Sequence, residues 1–326
     1  MTVPYQVLIA YRPFHIDDPN LAQTVATDAT IQAAFEALQQ AGFDVSVLSV
    51  GADIANVLRH YDPRHTVIFN YCDGFDDDPT GYDPVTGIFE RLGFAYTGAH
   101  DAILLSSQDK GRTKVIMERE HISTPTYRIY EQADVNGWNI FPALVKPVRK
   151  HGSLGITPES VVETPEQLAR QVGRVLNEWQ QPALVEDFID GTEYRVSVWG
   201  NAALEVLPLM SIQFLPMPER PYGMKDFDTK WLEHGMQIDI PAKVEPGLLT
   251  RIEQVAMQAF RALEMRDYGG IDIRVRDGIP YVIDPNANAD ICDVSSFSQM
   301  ARAAGYDYAT VLARIVGLAA ERIPGT

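Results

Sequence analysis

The sequence predicts a chain in two parts, an α/β region on a small parallel sheet followed by an α+β region. Three observations predict this. Strand-like and helix-like stretches alternate through the first hundred residues. From about residue 109 strands cluster between isolated helices. The composition, 46% hydrophobic and 22% charged, is that of a folded soluble chain. A length of 326 residues fits about two domains and a core that needs no disulfide staples.

Val7–Ala10 is an apolar first strand, and Asp28 can cap a helix carrying Ile31, Phe35 and Leu38 on one face, ended by Gly42. Phe43–Val50 alternates, Thr66–Asn70 is a short β-rich run, and helix and strand signals follow at Pro84–Leu92 and Phe94–Thr97. After this βαβ pattern come a helix over Asp109–His121 and strands near Thr126–Tyr130 and Ala143–Lys146. A glycine-containing loop and a helix near Thr164–Trp179 follow, then strands at Ala183–Phe188 and Tyr194–Trp199. Ser211–Gly235, rich in Pro, Met and aromatics, has no clear period. A helix over Pro246–Leu263, two strands around Asp277-Gly278 and two helices complete the chain, with no internal repeat and no low-complexity segment.

Lys and Arg total 27 against 44 Asp and Glu, a net charge of −17 that repels nucleic acid and anionic lipid. No apolar run approaches the roughly 20 residues of a membrane span. The start, MTVPYQVLIAYRPF, lacks a basic n-region and reads as a strand rather than a signal peptide. Two cysteines, Cys72 and Cys292, are too few for a disulfide framework or a cysteine-ligated zinc cluster, and they fit a reducing cytoplasmic compartment. G-x-G-x-x-G after the first strand, G-x-x-x-x-G-K-[ST] and H-E-x-x-H are all absent.

Four segments could carry chemistry. In Lys146–Gly155, Lys146 ends an apolar strand and the glycines would let backbone N–H groups approach an anion; a solvated basic turn is the alternative. Lys110 and Lys114 share a helix face, as an anion site or as an ordinary polar face. In Gly270–Asn286, Asp272 and Asp284 lie in alternating strands. Their oxygens suit magnesium, which takes one or two carboxylates plus substrate phosphates, although a surface strand and a turn before proline would look the same. The two aspartates must share a sheet face to share a metal. A two-residue Asp277-Gly278 turn pairs Asp272 with Ile283 and turns Asp284 away, so the metal reading demands a three-residue loop or a bulge, although Asp-Gly favours the shorter turn. The linker Ala183–Tyr194 could offer backbone amides to a base and Glu193 to ribose hydroxyls, or be a surface hairpin.

Taken together, Phe69-Asn70, Tyr96-Thr97-Gly98, DKGRTK, Thr124-Pro125, PALVKP, GSLG, LVEDFIDGTEY, DTKWL, GGIDIRV, DGIPYVIDPN and MARAAG stand in the order of the ATP-grasp superfamily. Within it the chain resembles the D-alanine–D-alanine ligases. The resemblance implies an N-terminal parallel-sheet (pre-ATP-grasp) domain over residues 1–108 and a two-subdomain ATP-grasp fold over 109–190 and 191–326. It also implies an ATP-dependent ligase that phosphorylates a carboxylate and lets an amine displace the phosphate. Lys110 and Lys146 would bind the ATP phosphates under a loop containing His151, Gly152, Ser153 and Gly155. Glu186, Asp187 and Ile189 would line the adenine site, with Glu193 on the ribose. Lys230, in a lid-like Ser211–Gly235 segment, would reach the γ-phosphate or the adenine side. Asp272, Asp284 and Asn286 would hold two Mg²⁺, with Mn²⁺ as a substitute. Partners are then small amino acids or amines, with no nucleic acid, no membrane, and a homodimer left open.

The substrate end departs from the family pattern. The first-substrate glutamate is missing, with Gln23 or a neighbour in its place; Asp73 replaces the histidine of the HG motif; Trp231 replaces the tyrosine after the lid lysine. Gly270 stands where the oxyanion arginine would be, with Arg274 on the face of Asp272 as the expected replacement. Ala289-Asp290 replaces Pro-Gly, while Ser295 matches the serine that contacts the second substrate. A related carboxylate–amine ligase is expected, with a genuine D-alanine–D-alanine ligase and a non-catalytic ATP-binding protein as alternatives. The five aspartates of Asp73–Asp83 would select a cationic substrate or simply be solvated.

Overall fold

The computed structural model describes residues 5–12, 28–51, 53–72, 85–150, 153–214, 222–224 and 236–325. The chain runs first through β1 (Gln6–Tyr11), α1 (Asp28–Gln40), β2 (Val45–Ser49), α2 (Ile54–Leu58), β3 (Thr66–Tyr71), α3 (Thr86–Arg91) and β4 (Ala95–Tyr96). Its four strands form a parallel sheet ordered β2-β1-β3-β4. Both faces of such a sheet are covered, which is why VLIA and the Val67–Phe69 centre of TVIFN are continuously apolar. Val7, Ile9, Val67 and Phe69 pack into one core, and Leu8, Ala10 and Ile68 into another with Ile54, Leu58 and Phe89.

The next stretch comprises α4 (Asp101–Ser107), α5 (Lys110–Arg119), β5 (Tyr127–Tyr130), β6 (Ala143–Pro147), β7 (Val161–Val162), α6 (Pro165–Trp179) and β8 (Ala183–Asp187). The strands pair antiparallel in the order β5-β8-β6-β7. A reciprocal Thr164–Gln167 capping box with Pro165 in the first turn starts α6. Its Leu168, Val172 and Val175 pack on Ala143, Val145, Ala183 and Val185. By the two-residue period of a strand, Leu144, Lys146, Leu184 and Glu186 take the opposite face.

The last stretch comprises β9 (Glu193–Gly200), β10 (Leu204–Val206), β11 (Met210–Phe214), β12 (Met236–Asp239), α7 (Pro246–Ala262), β13 (Asp267–Arg276), β14 (Ile279–Asn286), α8 (Ser296–Ala303) and α9 (Tyr308–Ala320). The sheet order is β12-β11-β9-β13-β14, with β10 on the same edge of β9 beyond β11. Tyr194, Val196, Val198, Ile271 and Ile273 pack on Ile252, Ala256 and Phe260 of α7. The same alternation therefore turns Glu193, Arg195, Ser197, Gly270, Asp272 and Arg274 to the other face. The polar faces of these two antiparallel sheets bound the cavity described below.

The N-terminal sheet is tied on through Asp267, which is wholly buried. Asp267 accepts hydrogen bonds from both terminal nitrogens of Arg322 (2.7 and 2.6 Å) and from the Gly98 N–H (2.9 Å), while Arg322 also donates to the Tyr96 carbonyl. Helices α2 and α4 and the short strands β7, β10, β11 and β12 were not predicted. Each is only two to seven residues long, too short for a periodic signal, and is held by its neighbours. Ser211–Gly235, expected to be aperiodic, begins inside β11; residues 215–221 and 225–235 lie outside the described residues.

Candidate active site

One cavity is lined from both sheets by Lys110, Lys146, Ser153, Glu186, Asp187, Ile189, Glu193, Asp272, Arg274 and Asp284, residues the sequence had placed in four separate motifs. Pro125, Leu144, Phe188 and Met224 add apolar wall. Among the described residues no group of three or more His, Cys, Asp or Glu side chains is arranged as a metal cage.

At one end stand three buried lysines. Lys146 Nζ lies 2.5 Å from Glu186 Oε1, and Lys114 Nζ lies 2.9 Å from Oε2 while also donating to Thr124 Oγ1 (2.6 Å). Burial alone would push the Glu186 carboxyl up; the two ammonium groups override it and hold it at about 2. Burial lowers the pKa of Lys110 and of Lys114, opposed by Asp284 and Glu186 respectively. Lys114 and Lys146 share the Glu186 carboxylate, while Asp284 is the leading counter-charge of Lys110. Lys110 Nζ also donates to the Lys150 carbonyl, anchoring the glycine-containing loop. In that loop Ser153 and Gly155 are left-handed (φ 65° and 79°). A Cβ on Gly155 would lie 2.7 Å from Pro147 Cγ and 3.0 Å from Trp179, so only glycine fits there.

In the middle, Arg274 and Glu193 form a buried pair. Arg274 Nη2 and Nε donate to Glu193 Oε2 at 3.1 and 3.2 Å, Nη1 to the Ile189 carbonyl and Nη2 to the Gly223 carbonyl. The Phe188 and Phe214 rings flank the guanidinium at 5.3 and 5.1 Å. The expectation that Arg274 replaces the missing oxyanion arginine is therefore corrected. Its donors are committed to the linker and to Glu193, and it is 4% exposed. Asp187 is paired with Arg276, which links the two antiparallel sheets.

The β13–β14 hairpin, which carries Asp272 and Asp284, takes the two-residue turn: Arg276 pairs with Ile279, with Asp277 and Gly278 both left-handed (φ 55° and 73°). On a regular ladder that turn would set Asp284 on the wrong face. The ladder is not regular: Ile273 pairs with Val282 but Asp272 with Asp284, so Ile283 is bulged out of register. The bulge thus meets the alternative that the metal reading allowed. The Val282 N–H donates to the Ser123 carbonyl (2.9 Å), and Thr124 Oγ1 donates to the Val282 carbonyl (2.8 Å), so the segment after α5 grips β14 beside the bulge. Gly270 then pairs with Asn286. Asp272 is buried, and burial first, with Glu193 and Asp284 adding repulsion, raises its pKa, while Arg195 opposes them.

A family model described as "D-ala D-ala ligase C-terminus" matches residues 115–317, which includes Glu186, Glu193, Asp272 and Asp284. The chain belongs to the D-alanine–D-alanine ligase family. It is an ATP-grasp ligase, an enzyme that uses ATP to join a carboxylate to an amine. The D-alanine–D-alanine ligase of Desulforamulus reducens is 28% identical over 305 residues, covering 89% of this chain and 93% of that protein. Two solved structures show the same fold: a Bacillus anthracis D-alanine–D-alanine ligase complexed with ATP (TM-score 0.73, 20% identity, 97% of each chain) and the Enterococcus faecalis VanG D-Ala:D-Ser ligase (TM-score 0.75, 18% identity, 97% of this chain and 100% of that one). No helix among the described residues is long and apolar enough to cross a membrane.

Other members of the expected site stand apart from the cavity lining of this family member. Ser295 is buried and caps α8, accepting from the Ser298 N–H at 3.2 Å, and exposed Asp290 accepts from the Cys292 N–H at 2.9 Å. Gln23, Asp73, His151, Gly152, Lys230 and Trp231 lie outside the described residues, as does all of Asp73–Asp83. Sequence reasoning missed Lys114 as a partner of Glu186, Arg276 as the partner of Asp187, and Arg195. The first was legible as the i+4 neighbour of Lys110. Arg195 was legible as the residue two beyond Glu193, hence on its face.

Proposed function

We propose that this ligase phosphorylates the carboxylate of an amino acid or a related acid and joins it to an amine or a second amino acid other than D-alanine alone. The observation that carries the reading is one cavity whose lining brings Lys110 and Lys146 together with two cross-strand aspartates, Asp272 and Asp284. Phosphoryl transfer asks mainly for positioning and for cations that neutralise developing charge. Lys110 and Lys146, with the loop at Ser153–Gly155, would hold the triphosphate; Asp187 and the Ile189 backbone would border the base, and Glu193 the ribose.

Magnesium fits the residues present. Asp272 and Asp284 face the same way with raised mutual repulsion, and hard oxygen donors in that number leave room for phosphate ligands. Asp272, Asp284 and Asn286 would hold it, and it would supply charge neutralisation on the transferring phosphoryl group. The carboxylate oxygen displaces ADP from the γ-phosphorus, and the amine then displaces phosphate from the acyl carbon. A substrate end rebuilt at Gln23, Asp73, Trp231 and Ala289-Asp290 supports a substrate pair different from that of the namesake enzymes, because a glutamine cannot give an ammonium group the ion pair a carboxylate gives. A panel of amino acids and amines scored by ADP and phosphate release, with mass spectrometry of the product, tests this. Efficient formation of D-alanyl-D-alanine from millimolar D-alanine would instead restore the namesake activity.

A further inference from the structure

Three cross-strand tiers cross the polar face of the C-terminal sheet. Glu193 stands opposite Arg274, Arg195 opposite Asp272 and Asp284, and Ser197 opposite Gly270 and Asn286. We propose that Arg195, in the middle tier, is the guanidinium that contacts the reacting acyl group, a role that Arg274 cannot fill. The inference rests on the ligase reading above and assigns one residue within it.

Arg195 Nε donates to Asp272 Oδ1 at 2.9 Å, Nη2 reaches Oδ2 at 3.4 Å, and Nη1 donates to Ser296 Oγ at 2.7 Å. It therefore spans from the candidate metal carboxylate to the first turn of α8. Those contacts use three of its five N–H groups among the described residues, whereas Arg274 uses four atom pairs and lies between two aromatic rings. The Arg195 side chain is 20% exposed against 5% for Arg274. As a guanidinium it is a permanent cation.

Amide formation needs a cation at that end. As the amine nitrogen bonds to the acyl carbon, the carbonyl electron pair moves onto oxygen. It returns as the carbon–oxygen bond to phosphate breaks, and the departing phosphate takes the amine proton. A donor already in place for that oxyanion costs no reorganisation during the reaction. Lys146 is held by Glu186 and Arg276 by Asp187, and neither is paired with Asp272 as Arg195 is.

Gly270 supplies an internal control. It lies one tier along the same face, has no left-handed φ, and a Cβ there would meet only Ala289 and Asn286 at 3.5 and 3.8 Å, ordinary contact distances. A long cationic side chain placed there would reach towards the space that Arg195 serves. The test compares the parent with Arg195→Lys, Arg195→Met, and Arg195→Met combined with Gly270→Arg, using whichever amino acid of the panel gives most ADP release. Calorimetric ADP affinity and melting temperature are measured on each. We expect Arg195→Met to lower kcat by about 10²–10³-fold with ADP affinity retained, Arg195→Lys to fall between, and Gly270→Arg to recover part of the loss. A kcat that survives Arg195→Met, a loss of ADP affinity in step with kcat, or no recovery by Gly270→Arg overturns the assignment. If the parent binds ADP but releases none from ATP with any amino acid, the ligase reading falls, and the role of Arg195 falls with it.

Discussion

Replacing Glu186 by glutamine isolates the charge in the lysine cluster, because the side chain keeps its shape and leaves no cavity. Its carboxyl is held at about 2 against an ordinary 4.5. That difference corresponds to about 3 kcal/mol of folding free energy at neutral pH, since each unit is about 1.4 kcal/mol. The Glu186 side chain is 3% exposed, so solvent screening discounts little of this. Breaking a buried pair by removing one partner typically costs about 3–5 kcal/mol, in agreement. The loss has a ceiling: Lys114, whose pKa burial already lowers, can release its proton once the carboxylate is gone.

Urea unfolding followed by tryptophan fluorescence measures it, because Trp138 and Trp179 pack in the core of the same sheet. A depressed carboxyl pKa adds stability that is complete above 4.5 and is lost as pH falls towards about 2. The gap between parent and Glu186→Gln should therefore be full at pH 7, narrow below about pH 4.5 and be nearly closed only at about pH 2. Adding Lys114→Met to Glu186→Gln should recover part of the stability, since one fewer buried cation is then left without its counter-charge and the shape is kept. A gap under about 1 kcal/mol at pH 7, or one that does not shrink with acid, refutes the reasoning.

Three further outcomes follow from the same geometry. Lys146→Met should abolish ATP-dependent phosphate release, read in the coupled assay, and cost less stability than Glu186→Gln, because Lys114 still neutralises Glu186. Asp267→Ala should destabilise by about 3–5 kcal/mol in urea unfolding, since it strands Arg322 and the Gly98 N–H; Asp267→Asn, which keeps an acceptor and suits the left-handed φ of 63°, should cost clearly less. Chelation should stop ADP release and Mg²⁺ or Mn²⁺ restore it, with Asp284→Asn raising the Mg²⁺ concentration for half-maximal rate by about tenfold or more.

How much of this was legible in the sequence depended on the range of the interaction. Strand and helix existence was read from local period, as in TVIFN, ALVK and the Thr164 helix, because burial on one face writes itself into consecutive residues. Short pieces such as α2 and β10 carry no such record, since their neighbours hold them. The candidate site was legible as residue types in order, yet the partners of those residues were not. Lys146 was read as ending an apolar strand beside an anion-binding loop or a solvated turn; it is also a buried half of an ion pair with a residue 40 positions away.

The hairpin shows why pairing escapes sequence reasoning even when the logic is sound. Alternation fixes which residues of one strand share a face, but only the turn and any bulge fix which face of the neighbour meets them. Asp277-Gly278 chose the short turn, as its chemistry favours. The half-step error this introduces was absorbed at Ile283, where β14 is an edge strand and its backbone is held by Ser123 and Thr124 rather than by a second strand. An edge can accept an extra residue without breaking a ladder on its far side, and a central strand could not. The Thr124 hydroxyl that holds the bulge also accepts from Lys114, so the segment that sets the register of the aspartates is fastened to the cluster that would hold the phosphates. The two ends of the candidate site are thus one connected structure, although they are about 150 residues apart in the chain.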